Sequence, residues 1–336
     1  MRVSIVVPVY NVEQYINQCF ASISKQTYNN VMLECIFVDD CGNDHSISIL
    51  KQLLNDYTGD IQFKIIVHEQ NKGLSEARNT GTLAATGKYV YYLDSDDEIT
   101  DDCIQTLIDL ADKYKNVDMI LGSSEILNNG RRNDSYMIKT EVPEYSDDAT
   151  WLKKSILKRT YFPMTAWNKL ISIDFIKANN LFFKPGIIHE DEHWEFFVAK
   201  HIKAAAFSKK STYIHYINEG SIITTTSPRQ IECMLIIVED FLKNIDGVLV
   251  KEQYKTIYYV AVFALIKSID NHDRDFAIHV KKTLQHILKP RFKKVCTTFN
   301  VVEMKVLSLY FLPIFIVDIF KSKIVRKIYY GLLRIL

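Results

Sequence analysis

The segment YVYYLDSDDE, residues 89–98, decides how this sequence folds. Its first five residues are apolar or aromatic, which is typical of a buried β-strand. Three carboxylates follow within four residues: Asp94, Asp96 and Asp97. Carboxylates this close repel one another unless a cation lies among them, and open α/β sheets bind ligands where their strands end. The segment therefore favours a divalent metal that holds a phosphate-bearing substrate; the alternative is a solvated acidic turn that caps the next helix.

The pattern around this segment predicts an α/β fold. Short apolar runs at residues 3–7, 33–38, 63–67, 89–93 and 118–121 alternate with segments of helical spacing. Strands that alternate with helices form βαβ units, so we expect a mostly parallel, Rossmann-like sheet flanked by helices.

Beyond residue 121 the alternation ends. Residues 122–150 are polar and rich in turn formers, residues 151–227 mix short helices with aromatic strands, and the chain after Pro228 has helical spacing throughout. We predict one α/β domain at residues 1–225, with halves at 1–121 and 122–225, and a helical C-terminal extension at residues 226–336.

Charge is distributed unevenly along the 336 residues, although the net charge is only +1. Residues 1–121 have a balance of −9, which suits metal binding, and residues 243–336 have a balance of +10. The basic end, with its aromatic and apolar residues from 306 onward, is typical of a helix that lies on an anionic membrane surface. The alternative is a helix packed on the protein body or on another subunit. No nucleic-acid-binding motif accompanies these cations, so we expect no nucleic-acid partner.

The six cysteines lack CxxC pairs and zinc spacing. We expect them to be reduced core residues of a cytoplasmic protein. The first apolar run is too short for a signal peptide, and no apolar stretch reaches the roughly 18 residues that a spanning helix needs. We therefore predict a cytoplasmic protein, peripheral on the inner face of the cell membrane.

Four segments carry a resemblance to a known family: VSIVVPVYN at the start, IFVDDCGND, the block that runs from NKGLSEARN to LDSDDE, and HEDEHWEFF near residue 190. Their order and spacing resemble the family 2 glycosyltransferases of the GT-A fold, over about residues 1–225. The resemblance implies transfer of a sugar from a nucleoside diphosphate donor, by default UDP-linked, with a thymidine donor as the other possibility. The implied acceptor is a glycan or a lipid-linked glycan.

The resemblance also implies the donor site. It places nucleobase recognition at Tyr10 and Asp40, beside Pro8 and Asp39. Cys41 and Asn43 depart from the family's VDDGS pattern, which leaves the fine geometry of that loop open. The remaining implied donor residues are Gly73, Arg78, Asp94 and Ser95. A guanidinium suits a diphosphate because it presents a fork of donors.

Asp94-Ser95-Asp96 corresponds to the family's DxD element, with Asp96 and Asp94 at the metal and Asp97 as a helper. Oxygen ligands favour Mn²⁺ or Mg²⁺ over zinc. The resemblance makes Asp191 the general base, with adjacent Glu190 as the second candidate. Trp167, Lys169 and Trp194 are candidate acceptor residues, although Trp167 and Trp194 also fit a core position.

Two other functions stay open at the level of sequence. His189, Glu190 and His193 match HExxH, the zinc-binding helix of metallopeptidases, but that interpretation leaves the acidic cluster without a role. A nucleotide-sugar-binding module without catalysis is the third possibility. A dehydrogenase is disfavoured because PVYN, and not a glycine-rich loop, follows the first strand.

Overall fold

A ten-stranded sheet forms the centre of the fold. The computed structural model describes residues 1–128, 130–218, 226–271 and 273–291. The strands are β1 (Arg2–Val9), β2 (Met32–Asp39), β3 (Gln62–Val67), β4 (Tyr89–Tyr92), β5 (Glu98–Ile99), β6 (Met119–Asn128), β7 (Arg131–Tyr136), β8 (Tyr145–Ser146), β9 (Lys169–Ser172) and β10 (Ala205–Tyr216). Their order is β3-β2-β1-β4-β9-β6-β10-β5, with β7 paired to β6 and β8 to β10.

The described ranges also contain ten helices, of which the first seven lie in the same compact unit as the sheet. They are α1 (Ile16–Ser24), α2 (Ser46–Asp56), α3 (Leu74–Ala84), α4 (Cys103–Lys113), α5 (Ala149–Leu157), α6 (Ile173–Ala178), α7 (Glu190–His201), α8 (Pro228–Lys243), α9 (Val250–Asp270) and α10 (Arg274–Leu288). A short 3₁₀ turn, Lys289–Arg291, follows α10.

The first four strands of the sheet order are parallel, as the alternation of strands and helices predicts. In the register of β1, β2 and β3, Val9 pairs with Asp39 and Asp39 pairs with Val67. The residues that follow these strands therefore meet at one edge of the sheet. This edge is where a parallel sheet binds ligands.

The other half of the sheet is mixed, which the alternation of strands and helices before residue 121 does not predict. β9 pairs antiparallel with both β4 and β6, while β10 is parallel to β6. β9 is reached through a long connection from β6 that includes a hairpin and α5. The handedness rule applies to crossovers between parallel strands, so it does not predict the direction of β9. The α/β class with flanking helices is confirmed.

Contacts divide the chain into two compact units. The first is Met1–Gly186 with Glu190–Glu219, and the second is Ile187–His189 with Gly220–Leu336. In the second unit, α8 begins with a capping box in which Ser227 and Gln230 bond each other's backbone. Within the described ranges, no helix combines the length and apolarity needed to cross a membrane.

Two sequence predictions fall outside the described residues. The predicted domain boundary after residue 225 lies next to the undescribed segment 219–225. The basic tail from residue 306, and with it the predicted membrane contact, also lies outside.

Candidate active site

Asp40, directly after β2, organises the loop between β3 and α3. Its side chain is 3% exposed. It accepts hydrogen bonds from the backbone of Lys72 and Gly73, both at 2.8 Å, and lies 2.7 Å from Nδ1 of His68. Gly73 has φ +87°, in the region that favours glycine. Both oxygens of Asp40 are thus engaged by protein donors, so Asp40 shapes this loop, and its contact with the nucleobase stays a prediction.

The side chains beside Asp40 are more accessible. Tyr10 is 47% exposed and follows β1, in which Pro8 is paired with Val38. Asp39 is half-buried and accepts a hydrogen bond from the Cys41 backbone at 3.0 Å through one oxygen. An exposed ring beside a partly exposed carboxylate can stack on a nucleobase and accept its ring N–H.

Arg78 joins two of the predicted site segments. It lies on α3, is 2% exposed, and donates to Asp94 Oδ1 at 2.7 Å and to Glu190 Oε1 at 2.5 Å. The guanidinium carbon also lies 5.3 Å from the centre of the Phe183 ring. Burial acts to lower the pKa of Arg78, but the carboxylates of Asp94 and Glu190 outweigh it and raise the pKa above its ordinary value. Arg78 is therefore a fixed cation between α7 and the acidic loop, which is the loop after β4 that carries Asp94, Asp96 and Asp97.

The acidic loop after β4 has one carboxylate that is fully committed. Asp97 is 1% exposed; it accepts from Tyr213 OH at 2.7 Å and from the Tyr216 backbone at 2.8 Å, and lies 2.9 Å from His215 Nδ1. Burial raises the pKa of Asp97, and the bond to His215 opposes this. Asp97 therefore anchors the loop to β10, and its role as a helper at the metal stays a prediction.

Asp94 and Asp96 are the carboxylates that fit a cation. Asp96 accepts one hydrogen bond from Asn218 Nδ2 at 3.1 Å. Burial, followed by repulsion from Asp97 and Asp94, raises the pKa of Asp96 to about 6. Among the described residues no group of three His, Cys, Asp or Glu side chains could hold a metal by itself. Two carboxylates suit Mn²⁺ or Mg²⁺ when a substrate supplies further oxygens, because these ions are often bound by one or two carboxylates together with phosphates. Ser95, between them, is buried.

Helix α7 carries four carboxylates, and cations from three other segments pair with three of them. Arg78 pairs with Glu190, Arg159 donates to Glu192 at 2.7 Å, and Lys169 pairs with Glu195. Asp191 forms none of the ion pairs within the described part of the chain. Burial, followed by repulsion from Glu190, raises the pKa of Asp191 to about 8, although Arg78 acts to lower it. A carboxylate with a raised pKa is a stronger base once it is deprotonated.

The candidate acceptor residues lie in the interior. Lys169 is 0% exposed and donates to Glu195 and to the carbonyl of Pro163, at 2.9 Å for the latter. Trp194 is 1% exposed, stacks on Phe183 and donates to a backbone carbonyl. Neither side chain can contact a sugar in this arrangement, because each is enclosed by protein. Both hold α7 in place instead.

Trp167 also has a supporting position. It is 6% exposed and stacks on Tyr213 with ring centres 4.4 Å apart, and on His215 at 5.3 Å. Since Tyr213 and His215 both contact Asp97, Trp167 packs against the two side chains that hold the acidic loop.

The geometry disfavours the zinc-peptidase alternative. His189 precedes α7 and has φ +67°, whereas His193 lies inside the helix. The HExxH motif needs both histidines on one face of the same helix. Glu190, its base, is held by Arg78.

Sequence reasoning missed His68, Asn168, Tyr213 and His215. Asn168 follows Trp167, has φ +57°, and forms hydrogen bonds with residues of β4, β6 and β10 through both ends of its amide. For His68 a signal existed, since it directly follows β3 as Asp40 follows β2. Tyr213 and His215 are two positions apart on β10, so they lie on the same face of the sheet. The sequence does not indicate that this face contacts Asp97.

With this geometry established, comparison with known proteins identifies the family. The model of the family described as "Glycosyl transferase family 2" matches residues 4–178, and the chain belongs to this family. The glycosyltransferase GlyA of Streptococcus pneumoniae serotype 4 is 30% identical over 231 residues, which is 66% of this chain and 31% of GlyA. The chain thus aligns with about a third of that relative's length.

Solved structures agree on the fold. S. aureus TarS 1–349 in complex with UDP-GlcNAc superposes with a TM-score of 0.67 at 20% identity, covering 85% of this chain and 82% of that one. The mannosyltransferase PcManGT from Pyrobaculum calidifontis, in complex with GDP-Man and Mn²⁺, has a TM-score of 0.56 at 11% identity and covers 92% and 84%. The expected GT-A fold is thereby confirmed.

Proposed function

We propose that this chain is an inverting glycosyltransferase. It moves a sugar from a nucleoside diphosphate sugar, UDP-linked, to a hydroxyl of a glycan or lipid-linked glycan. One observation carries the proposal: Arg78 connects Asp94 to Glu190, so the donor loop and the carboxylate next to Asp191 share one cation. Family membership supports the reaction class.

The donor is held along the edge of the parallel strands. Tyr10 stacks on the base and Asp39 accepts its ring N–H, with Pro8 shaping the turn. Arg78 lies beside Asp94 and contributes positive charge near the diphosphate. UDP-GlcNAc in the TarS complex is the basis for preferring a uridine donor.

Asp94 and Asp96 are the residues that would hold a divalent cation, and Mn²⁺ or Mg²⁺ there would supply positive charge for the departing nucleoside diphosphate. The Mn²⁺ in PcManGT and the raised pKa of Asp96 support this assignment. Asp97, through Tyr213 and His215, holds the loop in position.

Asp191 accepts the proton of the acceptor hydroxyl as that oxygen attacks the anomeric carbon. Attack on the face opposite the leaving diphosphate inverts the anomeric centre. Glu190 is bound to Arg78, so its role is to orient that cation, while Asp191 remains without an ion-pair partner among the described residues.

The acceptor class rests on relatives and on the basic tail. A protein 26% identical over 217 residues, covering 64% of this chain and 35% of its own length, is named poly(ribitol-phosphate) β-N-acetylglucosaminyltransferase TarS, of Staphylococcus aureus. We propose a surface glycan as acceptor, lipid-linked at an anionic membrane that the tail contacts on its cytoplasmic side.

A panel of nucleoside diphosphate sugars tests the proposal. Release of free nucleotide is measured with Mn²⁺, with Mg²⁺ and with a chelator, and the anomeric configuration of any product is determined by NMR. Metal-dependent release from one sugar nucleotide, lost in Asp191→Asn when acceptor is present, is the expected result. A protein that neither binds nor hydrolyses any sugar nucleotide in the panel would contradict the proposal. Nucleotide binding without transfer to any acceptor would favour the non-catalytic module.

A further inference from the structure

His68 is a buried histidine with both ring nitrogens engaged. It directly follows β3 and is 5% exposed. Its Nδ1 lies 2.7 Å from Asp40 Oδ1, and its Nε2 lies 2.9 Å from Thr80 Oγ1. An ionised carboxylate only accepts hydrogen bonds, so Nδ1 carries the proton. In the neutral ring, Nε2 then accepts from the Thr80 hydroxyl.

These contacts connect three separate segments. Asp40 directly follows β2, His68 directly follows β3, and Thr80 lies on α3 two residues after Arg78. Asp40 in turn accepts from the backbone of Lys72 and Gly73, which begins the turn into α3. The position of α3, and hence of Arg78, depends on this set of hydrogen bonds.

We infer that His68 is a positioning residue for the nucleoside diphosphate pocket. It acts through Asp40 and Thr80 and does not touch the donor. The inference rests on the proposed function, because the pocket it shapes is the one assigned there to the sugar nucleotide.

Asp40 is buried and is engaged by three donors, the His68 ring and the backbone of Lys72 and Gly73. Without His68, the buried carboxylate retains two backbone donors, and one of its interactions is lost in an environment where water replaces it poorly. The loop from residue 68 to residue 73 then loses the side chain that fixes its first residue. We expect Tyr10 and Asp39, on the neighbouring strand ends, to keep their conformations, so the effect falls on the diphosphate side.

Binding of UDP with Mn²⁺ is measured by calorimetry on the full chain for wild type and three variants. His68→Asn places an amide N–H near the Nδ1 position and keeps the donor to Asp40. His68→Gln reaches the Nε2 position and keeps only the Thr80 side. His68→Ala removes both, and His45→Ala, an exposed histidine next to α2, is the matched control.

We expect His68→Ala and His68→Gln to weaken UDP binding by about 10-fold or more, which is typical for loss of a hydrogen bond to a charged group. His68→Asn and His45→Ala should remain within about 3-fold of wild type, less than the loss of one such bond. In turnover assays, the donor KM should rise while acceptor KM and kcat stay near wild type. A residue that only stabilises the fold would lower the melting temperature without this separation.

Two outcomes separate the failures. If wild type binds UDP and His68→Ala or His68→Gln binds it equally well, the positioning role is overturned and the proposed function stands. If wild type binds no nucleoside diphosphate, both are overturned. Should His68→Ala fail to fold, the comparison of His68→Asn with His68→Gln decides: equal affinities for these two variants contradict the inference.

Discussion

Arg78 and Glu190 are 112 positions apart in sequence, and their side chains meet at 2.5 Å in an almost fully buried ion pair. The same guanidinium holds Asp94, so one cation ties the acidic loop to the start of α7. A planar fork of donors makes both contacts at once, which a lysine cannot reproduce.

Replacing Arg78 with Lys tests this geometry. The change keeps the charge but not the two-sided contact, so we expect donor affinity to fall by about 10-fold or more, since a charge-assisted hydrogen bond is lost. Isothermal calorimetry with UDP and Mn²⁺ measures it. Arg2→Lys, which changes an arginine near the opposite ends of the strands, is the control and should bind as wild type. Unchanged binding in Arg78→Lys would show that a point charge suffices.

Asp191→Asn removes the proposed base while preserving side-chain size. We expect transfer to fall by about 10² to 10⁴, the usual contribution of a positioned base, with UDP affinity unchanged. In wild type, kcat/KM should rise with pH until Asp191 is deprotonated near its pKa of about 8. The variant should lack this rise. Wild-type transfer in the variant would move the base role elsewhere, and Glu190→Gln would be measured next.

The same carboxyl also affects folding stability. Because the pKa of Asp191 is raised in the folded state, the folded protein keeps a proton that the unfolded chain has released between about pH 4 and pH 8. The contribution of Asp191 to the free energy of unfolding therefore decreases as pH rises through that range. Asp191→Asn should melt a few degrees above wild type at pH 8, with a smaller difference at pH 5. Equal melting temperatures of wild type and Asp191→Asn at both pH values would show that burial does not raise the pKa of Asp191.

Asp96 should link metal binding to pH. A cation needs the ionised carboxylate, so affinity for Mn²⁺ with UDP should decrease as pH falls through the pKa of Asp96, about 6. Asp96→Ala should lose the metal-dependent part of UDP binding, whereas Asp112→Ala, an exposed carboxylate on α4, should not. Binding in Asp96→Ala that still responds to a chelator would place the cation elsewhere.

For the Lys169–Glu195 pair we expect the effects of two substitutions on the free energy of unfolding to be strongly non-additive. Both side chains are 0% exposed, and Glu195 Oε2 has no hydrogen-bond partner within the described part of the chain. Lys169→Met should lower unfolding free energy by about 3–5 kcal/mol, because it leaves a buried charge unpaired. Lys169→Met combined with Glu195→Leu should regain most of this loss. Lys115→Met breaks an exposed pair with Asp112 and should cost less than about 1 kcal/mol. Denaturant unfolding measures all three; a double variant no more stable than the single one contradicts the account.

Much of the donor half followed from the sequence because its signals are local. The run of β-branched residues in β1, the alternation that ends in Asp94, and the aspartates after β2 are each set by neighbours in the chain. Parallel strands bring their ends to one edge, so the gathering of Tyr10, Asp40 and the acidic loop was predictable. The order of the family motifs supplied Asp191.

Tertiary structure decided which of these side chains remain available. Asp39, Asp40, Asp96 and Asp97 are all aspartates. The carboxylates of Asp40 and Asp97, however, accept buried hydrogen bonds from the protein. Lys169 and Trp194 became supports because α7 packs against them, which no local pattern encodes. Helix α7 carries three glutamates and one aspartate: cations from α3, β9 and the segment after α5 pair with the glutamates, and Asp191 forms no ion pair among the described residues. Side-chain chemistry and strand ends are set locally in the sequence, but pairing of buried charges depends on long-range packing, so only the fold shows which carboxylate of α7 is left without an ion pair among the described residues.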